Sequence, residues 1–263
     1  MYAFTLERPA SLADATQLVT AGAKPLAGGQ TLLASMKLRL SAPGQLVDLS
    51  GIAELTGIKQ DGNAFTIGAM SRHLDVANHA ELKAAFPALA DLASRIGDRQ
   101  VRAMGTLGGS VANNDPAACY PSAVLGTGAT VVTSKREIAA DDFFLGLFTT
   151  ALEEDELITA IRFPIPKRAV YEKLRQKASH FPLVGIFLAQ YDSGVRVAVT
   201  GAGNGVFRHA GLEDALNQSF TAASAAAVKI DASELNSDLH ASAAYRANLI
   251  SVLTQRAVTK ALG

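Results

Sequence analysis

The 263-residue sequence predicts an α+β fold in three consecutive parts, residues 1–52, 53–165 and 166–263. Three observations predict it. Short apolar segments alternate with helical spacing up to residue 52. Polar turn triplets at Asp61-Gly62-Asn63 and Asp192-Ser193-Gly194 divide alternating runs into antiparallel hairpins, and an Ala-rich helical pattern fills residues 210–262.

In the first, α/β part, Ser11 is placed to cap a helix carrying Leu12, Ala15, Leu18 and Val19, which Gly22 closes. A short strand at residues 25–27 follows. Gly28-Gly29-Gln30-Thr31 then opens a helix in which Leu32, Leu33, Met36 and Leu40 recur up to Pro43, and residues 45–49 form a further strand.

In the mixed middle part, residues 58–67 form the first hairpin, Ser71 caps a helix running to His79, and residues 86–96 form a second helix. From Gly97 to Gly128 the chain accumulates Gly, Asn, Asp, Pro and small residues, which predicts extended backbone lining a ligand rather than helix interior. Strands follow at residues 130–134 and 156–163, and Pro164 and Pro166 mark the junction to the last part. There, strands are expected at residues 170–174, 184–191 and 195–200 before the helical tail.

Hydrophobic residues at 49% and charged residues at 18% allow a substantial core. The 24 basic and 24 acidic side chains cancel and are dispersed, which excludes the electrostatic footprint of nucleic-acid binding. A single cysteine, Cys119, excludes both an intrachain disulfide and a thiolate-held iron–sulfur cluster built by this chain alone. The N-terminus lacks the basic-then-apolar layout of a signal peptide, and no apolar run nears the roughly 20 residues of a membrane span. A cytoplasmic protein without an integral membrane segment is expected. The five histidines lack paired ligand spacing, and no serine sits in a G-x-S-x-G elbow, so neither a metal site nor a catalytic side chain is expected.

Two glycine pairs carry the most chemical information: Ala27-Gly28-Gly29-Gln30-Thr31 and Thr106-Leu107-Gly108-Gly109-Ser110. Glycines let backbone N–H groups converge on an anion, and the terminal hydroxyl residue adds a neutral donor, so two such loops could grip a diphosphate from both sides. On spacing alone, ordinary turns account for both pairs equally well. Asn113-Asn114-Asp115-Pro116 offers amides and a carboxylate to a hydroxylated ligand or, as simple turn chemistry, to its own backbone. Gly201-Ala202-Gly203-Asn204-Gly205 departs from G-x-G-x-x-G and has no acidic residue closing a second strand, so it reads as a strand-to-helix turn.

The segments AGGQTLL (27–33), TIGAMSRH (66–73) and IGDRQVRAMGTLGGSVANNDPAACYPSAVLGTGATV (96–131) occur in order with YEKLRQKASHFPLVG (171–185) and VAVTGAGNGVFR (197–208). Together they resemble, over nearly the whole chain, the FAD-binding medium subunit of the carbon monoxide dehydrogenase and xanthine dehydrogenase family of molybdenum hydroxylases. The resemblance implies a two-part FAD-binding fold of the vanillyl-alcohol-oxidase (PCMH) type followed by an α+β C-terminal domain. By the same resemblance, Leu26, Ala27, Gly28, Gly29, Gln30, Thr31 and Leu32 wrap the FAD pyrophosphate, and Thr106, Leu107, Gly108 and Gly109 close the opposite side. Asn113 and Asp115 lie close to the cofactor, Ile96 faces the adenine, Ile158 borders the dimethylbenzene edge, and Lys173 approaches the flavin ring. The spacing alone leaves Lys173 open to a second reading, a solvent-exposed lysine on an edge strand.

One position departs from the family pattern. Relatives commonly carry an acidic residue that accepts hydrogen bonds from the adenosine ribose where this chain has Cys119. A thiol lacks that charge, and losing a charge-assisted bond of about 1.5–3 kcal/mol implies weaker FAD binding, by about tenfold or more.

The resemblance further implies a large partner subunit holding a molybdenum–pterin cofactor and a small partner carrying two [2Fe-2S] clusters, in a dimer of heterotrimers. Electrons would pass from those clusters through FAD to an external acceptor. Two alternatives stay open at this point: a self-sufficient FAD-dependent oxidase or reductase of related fold, and a non-catalytic relative that binds flavin poorly.

Overall fold

The computed structural model describes residues 1–263. The N-terminal segment forms β1 (Thr5–Glu7), α1 (Leu12–Thr20), β2 (Lys24–Leu26), α2 (Leu32–Lys37) and β3 (Gln45–Asp48), followed by short 3-10 turns at Leu49–Gly51 and Ala53–Leu55. The strands make a parallel sheet in the order β1-β3-β2. Ser11 caps α1 as expected, its Oγ accepting from the Asp14 N–H at 3.1 Å, and Gly22 turns the chain back with φ +98°. Ala15 and Val19 on the inner face of α1 bury against Val47 and Leu49. The expected extension of α2 to Pro43 does not occur. Arg39 turns into the left-handed region (φ +60°), which ends the helix after Lys37 and leaves Leu38 and Leu40 exposed.

The middle segment comprises β4 (Ile58–Asp61), β5 (Ala64–Gly68), α3 (His73–Asn78), α4 (Ala80–Ala85), α5 (Pro87–Ser94), α6 (Arg99–Met104), α7 (Leu107–Asn113) and α8 (Tyr120–Thr127). It continues through β6 (Thr130–Thr133), β7 (Glu137–Ala139), α9 (Ala140–Phe143), β8 (Phe144–Gly146), β9 (Thr149–Thr150) and β10 (Ile158–Pro164). Five of its strands form an antiparallel sheet, β4-β5-β10-β6-β7, with Ile161 opposite both Ile67 and Val131. Ile67, Val131 and Ile161 enter one core with Leu89, Leu107, Val111 and Tyr120 from the helices.

Two expectations are corrected in this segment. Ser71 does not cap α3, because its hydroxyl is buried and donates to the Gly57 carbonyl at 3.2 Å. Asp75 instead accepts the Arg72 N–H at the helix start. The helix ends at His79 as expected, and His79 Nδ1 accepts the Leu82 N–H to start a separate helix, α4. Finally, residues 97–128 are not extended but hold three helices. Asp98 caps α6 and Thr106 caps α7, while Asn114 (φ +44°) and Gly128 (φ +62°) end α7 and α8. The small residues there serve close packing: a Cβ on Gly126 would lie 3.0 Å from the Phe187 ring.

The C-terminal segment is an antiparallel sheet of β11 (Arg168–Arg175), β12 (Pro182–Tyr191), β13 (Gly194–Thr200) and β14 (Phe207–Arg208), covered by α10 (Ala210–Gln218), α11 (Ala222–Ala227) and α12 (Ala243–Leu262). β12 is buried on both faces, which explains its unbroken apolar run. Phe187 and Ala189 point into the middle core, whereas Ile186 and Leu188 meet Ile250 and Leu253 of α12. The helical pattern expected across residues 210–262 is interrupted between α11 and α12. Asp238 in that connection pairs with the buried Arg246 at 2.7 Å. No helix is long and apolar enough to cross a membrane.

Candidate cofactor-binding site

The two glycine loops, far apart in sequence, meet. Residues 28–31 link β2 to α2, and residues 105–106 link α6 to α7. A Cβ added to Gly28 would fall 2.2 Å from the Met104 carbonyl oxygen and 2.7 Å from the Gly105 Cα, and one added to Gly109 would fall 3.2 Å from the Ala27 Cβ. Only glycine allows this approach, so glycine at these positions is dictated by packing as well as by any ligand.

The loops contribute differently. In the second loop, the Leu107 N–H donates to the Ser71 carbonyl (3.0 Å), the Gly108 N–H to the Ala69 carbonyl (2.8 Å) and the Gly109 N–H to Thr106 Oγ1 (3.2 Å). The expectation that amides of both loops converge on one anion is therefore corrected: the Leu107 and Gly108 N–H groups are taken by residues 69–73, which run alongside as a backing segment, and the Gly109 N–H by the helix's own cap. In the first loop, the N–H groups of Gly28, Gly29, Gln30 and Thr31 have no protein acceptor, and Gly29 is left-handed at φ +69°. The free amides of this loop make a neutral donor set, while Thr106 Oγ1 is the buried cap of α7. No acidic side chain lies in residues 26–32 or 104–110, so a diphosphate would meet no like charge.

The backing segment was not singled out for any role by sequence reasoning, although TIGAMSRH stood out as a signature. Its function is visible only in three dimensions. Ala69 lies where a Cβ on Gly108 would come within 2.5 Å, and His73 Nε2 lies 2.6 Å from where a Cβ on Gly105 would sit. His73 is buried, its Nδ1 has no partner, and its ring packs 5.3 Å from that of Tyr120. Burial, and then the nearby Arg102 guanidinium, push its pKa down to about 4, so the ring stays neutral behind the loop.

The remaining predicted residues line up beyond α6. Leu26 and Leu32 flank the first loop and are half-buried. Ile96 is half-buried after α5, and its carbonyl accepts from Arg102 Nη1 at 2.8 Å. Ile158, at the start of β10, is buried in the core that holds Leu107, and the next residue, Thr159, accepts the Ala69 N–H. Asn113 ends α7, half-buried, with its amide uncommitted to protein groups. Asp115 behaves as a turn residue, its Oδ1 accepting the Ala117 N–H at 2.8 Å. Asn114 ties this segment to the β8–β9 turn by donating to the Gly146 and Thr149 carbonyls, both at 2.8 Å.

Lys173 lies on the edge strand β11 yet is only 8% exposed. Its Nζ donates to the carbonyls of Arg95 (2.8 Å) and His180 (2.7 Å) and reaches Cys119 Sγ at 3.5 Å. Burial lowers its pKa, opposed in part by the thiol. Cys119, next to the start of α8 and 5% exposed, is thus a buried neighbour of Lys173.

The family described as the FAD binding domain in molybdopterin dehydrogenase matches residues 2–166. The chain is 34% identical to the carbon monoxide dehydrogenase medium chain of Hydrogenophaga pseudoflava, over 98% of this chain and 96% of that one. It is also 34% identical to the nicotine 6-hydroxylase medium subunit of Paenarthrobacter nicotinovorans, over 96% and 95% of the two chains. Among solved structures, it superposes with a TM-score of 0.91 on a chain of the Hydrogenophaga pseudoflava carbon monoxide dehydrogenase that lacks the Mo-pyranopterin moiety, at 33% identity and covering 99% and 98% of the two chains. Quinoline 2-oxidoreductase from Pseudomonas putida 86 gives a TM-score of 0.91 at 29% identity, covering 99% and 97%. The chain thus belongs to the FAD-binding medium subunits of the molybdenum hydroxylase family.

Proposed function

We propose that this chain is the electron-transfer subunit of a molybdenum hydroxylase complex, taking electrons from iron–sulfur clusters on a small partner subunit and delivering them through FAD to an external acceptor. A large partner subunit holding a molybdenum–pterin cofactor would oxidise the substrate, in a dimer of heterotrimers located in the cytoplasm. The observation that carries this reading is the juxtaposition of Gly28 with Met104 and Gly105, which sets a loop of unengaged amides against a hydroxyl-bearing helix start.

In this reading Gly28, Gly29, Gln30 and Thr31 hold the diphosphate through backbone N–H groups. Leu26, Ala27, Leu32, Thr106, Leu107, Gly108 and Gly109 set the spacing. Ile96, Asn113, Asp115, Cys119, Ile158 and Lys173 complete the cleft between the 1–52 and 53–165 parts, with 166–263 as a third domain. FAD, when bound, supplies the redox chemistry. The residues of this chain bind, orient and shield it, and none is assigned proton transfer. Medium-subunit relatives whose names point to carbon monoxide, glyceraldehyde and nicotine share the fold, which agrees with substrate choice residing on another subunit.

The test is a visible spectrum of the purified chain after incubation with FAD and desalting, followed by reduction in the assembled complex. Flavin absorption that bleaches only when the partner subunits and their substrate are present supports the proposal. Bleaching by substrate in the isolated chain would favour a self-sufficient oxidase, and absence of flavin bands, even with partners present, would favour a fold relative that does not retain flavin.

A further inference from the structure

Three consecutive carbonyls beyond α5 are each taken by a side chain from elsewhere. Lys173 Nζ binds that of Arg95 (2.8 Å), Arg102 Nη1 binds those of Ile96 (2.8 Å) and Gly97 (3.1 Å), and His180 Nδ1 lies 2.9 Å from that of Gly97. Two of the three side chains come from the C-terminal segment, Lys173 from β11 and His180 from beyond it. His180 sits in the connection between β11 and β12, which closes on itself: the Gln176 N–H donates to the Phe181 carbonyl (2.8 Å) and the His180 N–H to the Gln176 carbonyl (3.1 Å). His180 holds the left-handed backbone at φ +62°, and its own carbonyl accepts from Lys173 Nζ at 2.7 Å. A non-glycine residue keeps that conformation only when its surroundings fix it.

We infer that His180 is a positioning residue that staples the β11–β12 connection onto the Ile96–Gly97 turn and so fixes one wall of the cofactor cleft. The inference rests on the proposed reading of that cleft as the FAD site. Because a carbonyl only accepts, Nδ1 of His180 carries the hydrogen. Asparagine tolerates the left-handed backbone, and its Nδ2 stands the same number of bonds from Cα as the histidine Nδ1, so it can replace both functions. Glycine keeps the backbone and loses the donor; alanine loses both.

The experiment compares wild type with His180→Asn, His180→Gly and His180→Ala. It reads the FAD dissociation constant by flavin fluorescence and the rate of tryptic cleavage after the exposed Lys177 in the same connection. His180→Ala and His180→Gly are expected to weaken FAD binding about tenfold and to speed cleavage at Lys177 by a similar factor, whereas His180→Asn stays within about twofold of wild type on both. If FAD binds and the four forms are alike in affinity and cleavage, the staple is refuted. If cleavage separates them as expected but no form takes up FAD, the staple stands and the FAD reading fails.

Discussion

Substituting alanine for Gly28 puts a methyl group 2.2 Å from the Met104 carbonyl oxygen, 2.7 Å from the Gly105 Cα and 2.9 Å from the Met104 carbonyl carbon. All three are backbone atoms, so no side-chain rotation relieves the overlap. An ordinary carbon–oxygen contact is roughly 3.3 Å or longer, which forces the two loops about 1 Å apart. Overpacking of this kind costs about 1–3 kcal/mol. If the loops must hold their present spacing to grip one diphosphate, that cost appears as a 5- to 150-fold rise, in round terms, in the FAD dissociation constant (roughly tenfold per 1.4 kcal/mol). Fluorescence titration of FAD onto Gly28→Ala measures it, and Gly44→Ala, whose added methyl meets nothing within 4 Å, is the control. Binding within twofold of wild type at an unchanged melting temperature would refute the claim that the loops work as a pair.

If residue 119 faces the adenosine ribose, as the resemblance implies, Cys119→Asp should raise FAD affinity by about tenfold; equilibrium dialysis checks it, and equal affinities would remove the argument. His73 supplies an acid-sensitivity prediction. Burial depresses its folded-state pKa from 6.5 to about 4, so its contribution is fully present above pH 6.5 and is lost as pH falls through 4. The loss amounts to roughly 3 kcal/mol. Thermal melts between pH 7 and pH 4 should show a smaller fall for His73→Gln than for wild type, and coincident profiles would rule His73 out. Asn114→Ala removes both hydrogen bonds to the β8–β9 turn at a left-handed position. It should cost about 2–4 kcal/mol in urea unfolding, and a change under about 0.5 kcal/mol would contradict the tie.

What could be read from the sequence was mostly what the local backbone demands. Ser11 and Gly22 bound α1, Asp192-Ser193-Gly194 marks the hairpin between β12 and β13, and the two glycine pairs mark loops that come together. Residues 97–128 misled because glycine and alanine have two physical uses. Composition alone cannot separate extended chain beside a ligand from helices pressed close to their neighbours, as Gly108 is to Ala69 and Gly126 to Phe187. Long-range partners were equally hidden. Lys173 is 78 residues from the carbonyl of Arg95 and 54 from Cys119, so nothing near it in sequence announced a buried ammonium. The engaged amides of Leu107 and Gly108 depend in the same way on residues 69 and 71, whose positions follow from sheet register and not from any motif.

The central claim is that one diphosphate is held by the unengaged amides of residues 28–31, on a loop that the Gly105 turn packs against. Calorimetric titration of the purified chain with FAD, alone and in the presence of ADP or riboflavin, tests it most directly. The account predicts one FAD per chain, displaced by ADP, which carries the diphosphate, and not by riboflavin, which lacks it. Riboflavin displacing FAD while ADP has no effect, or no FAD uptake at all, would contradict it.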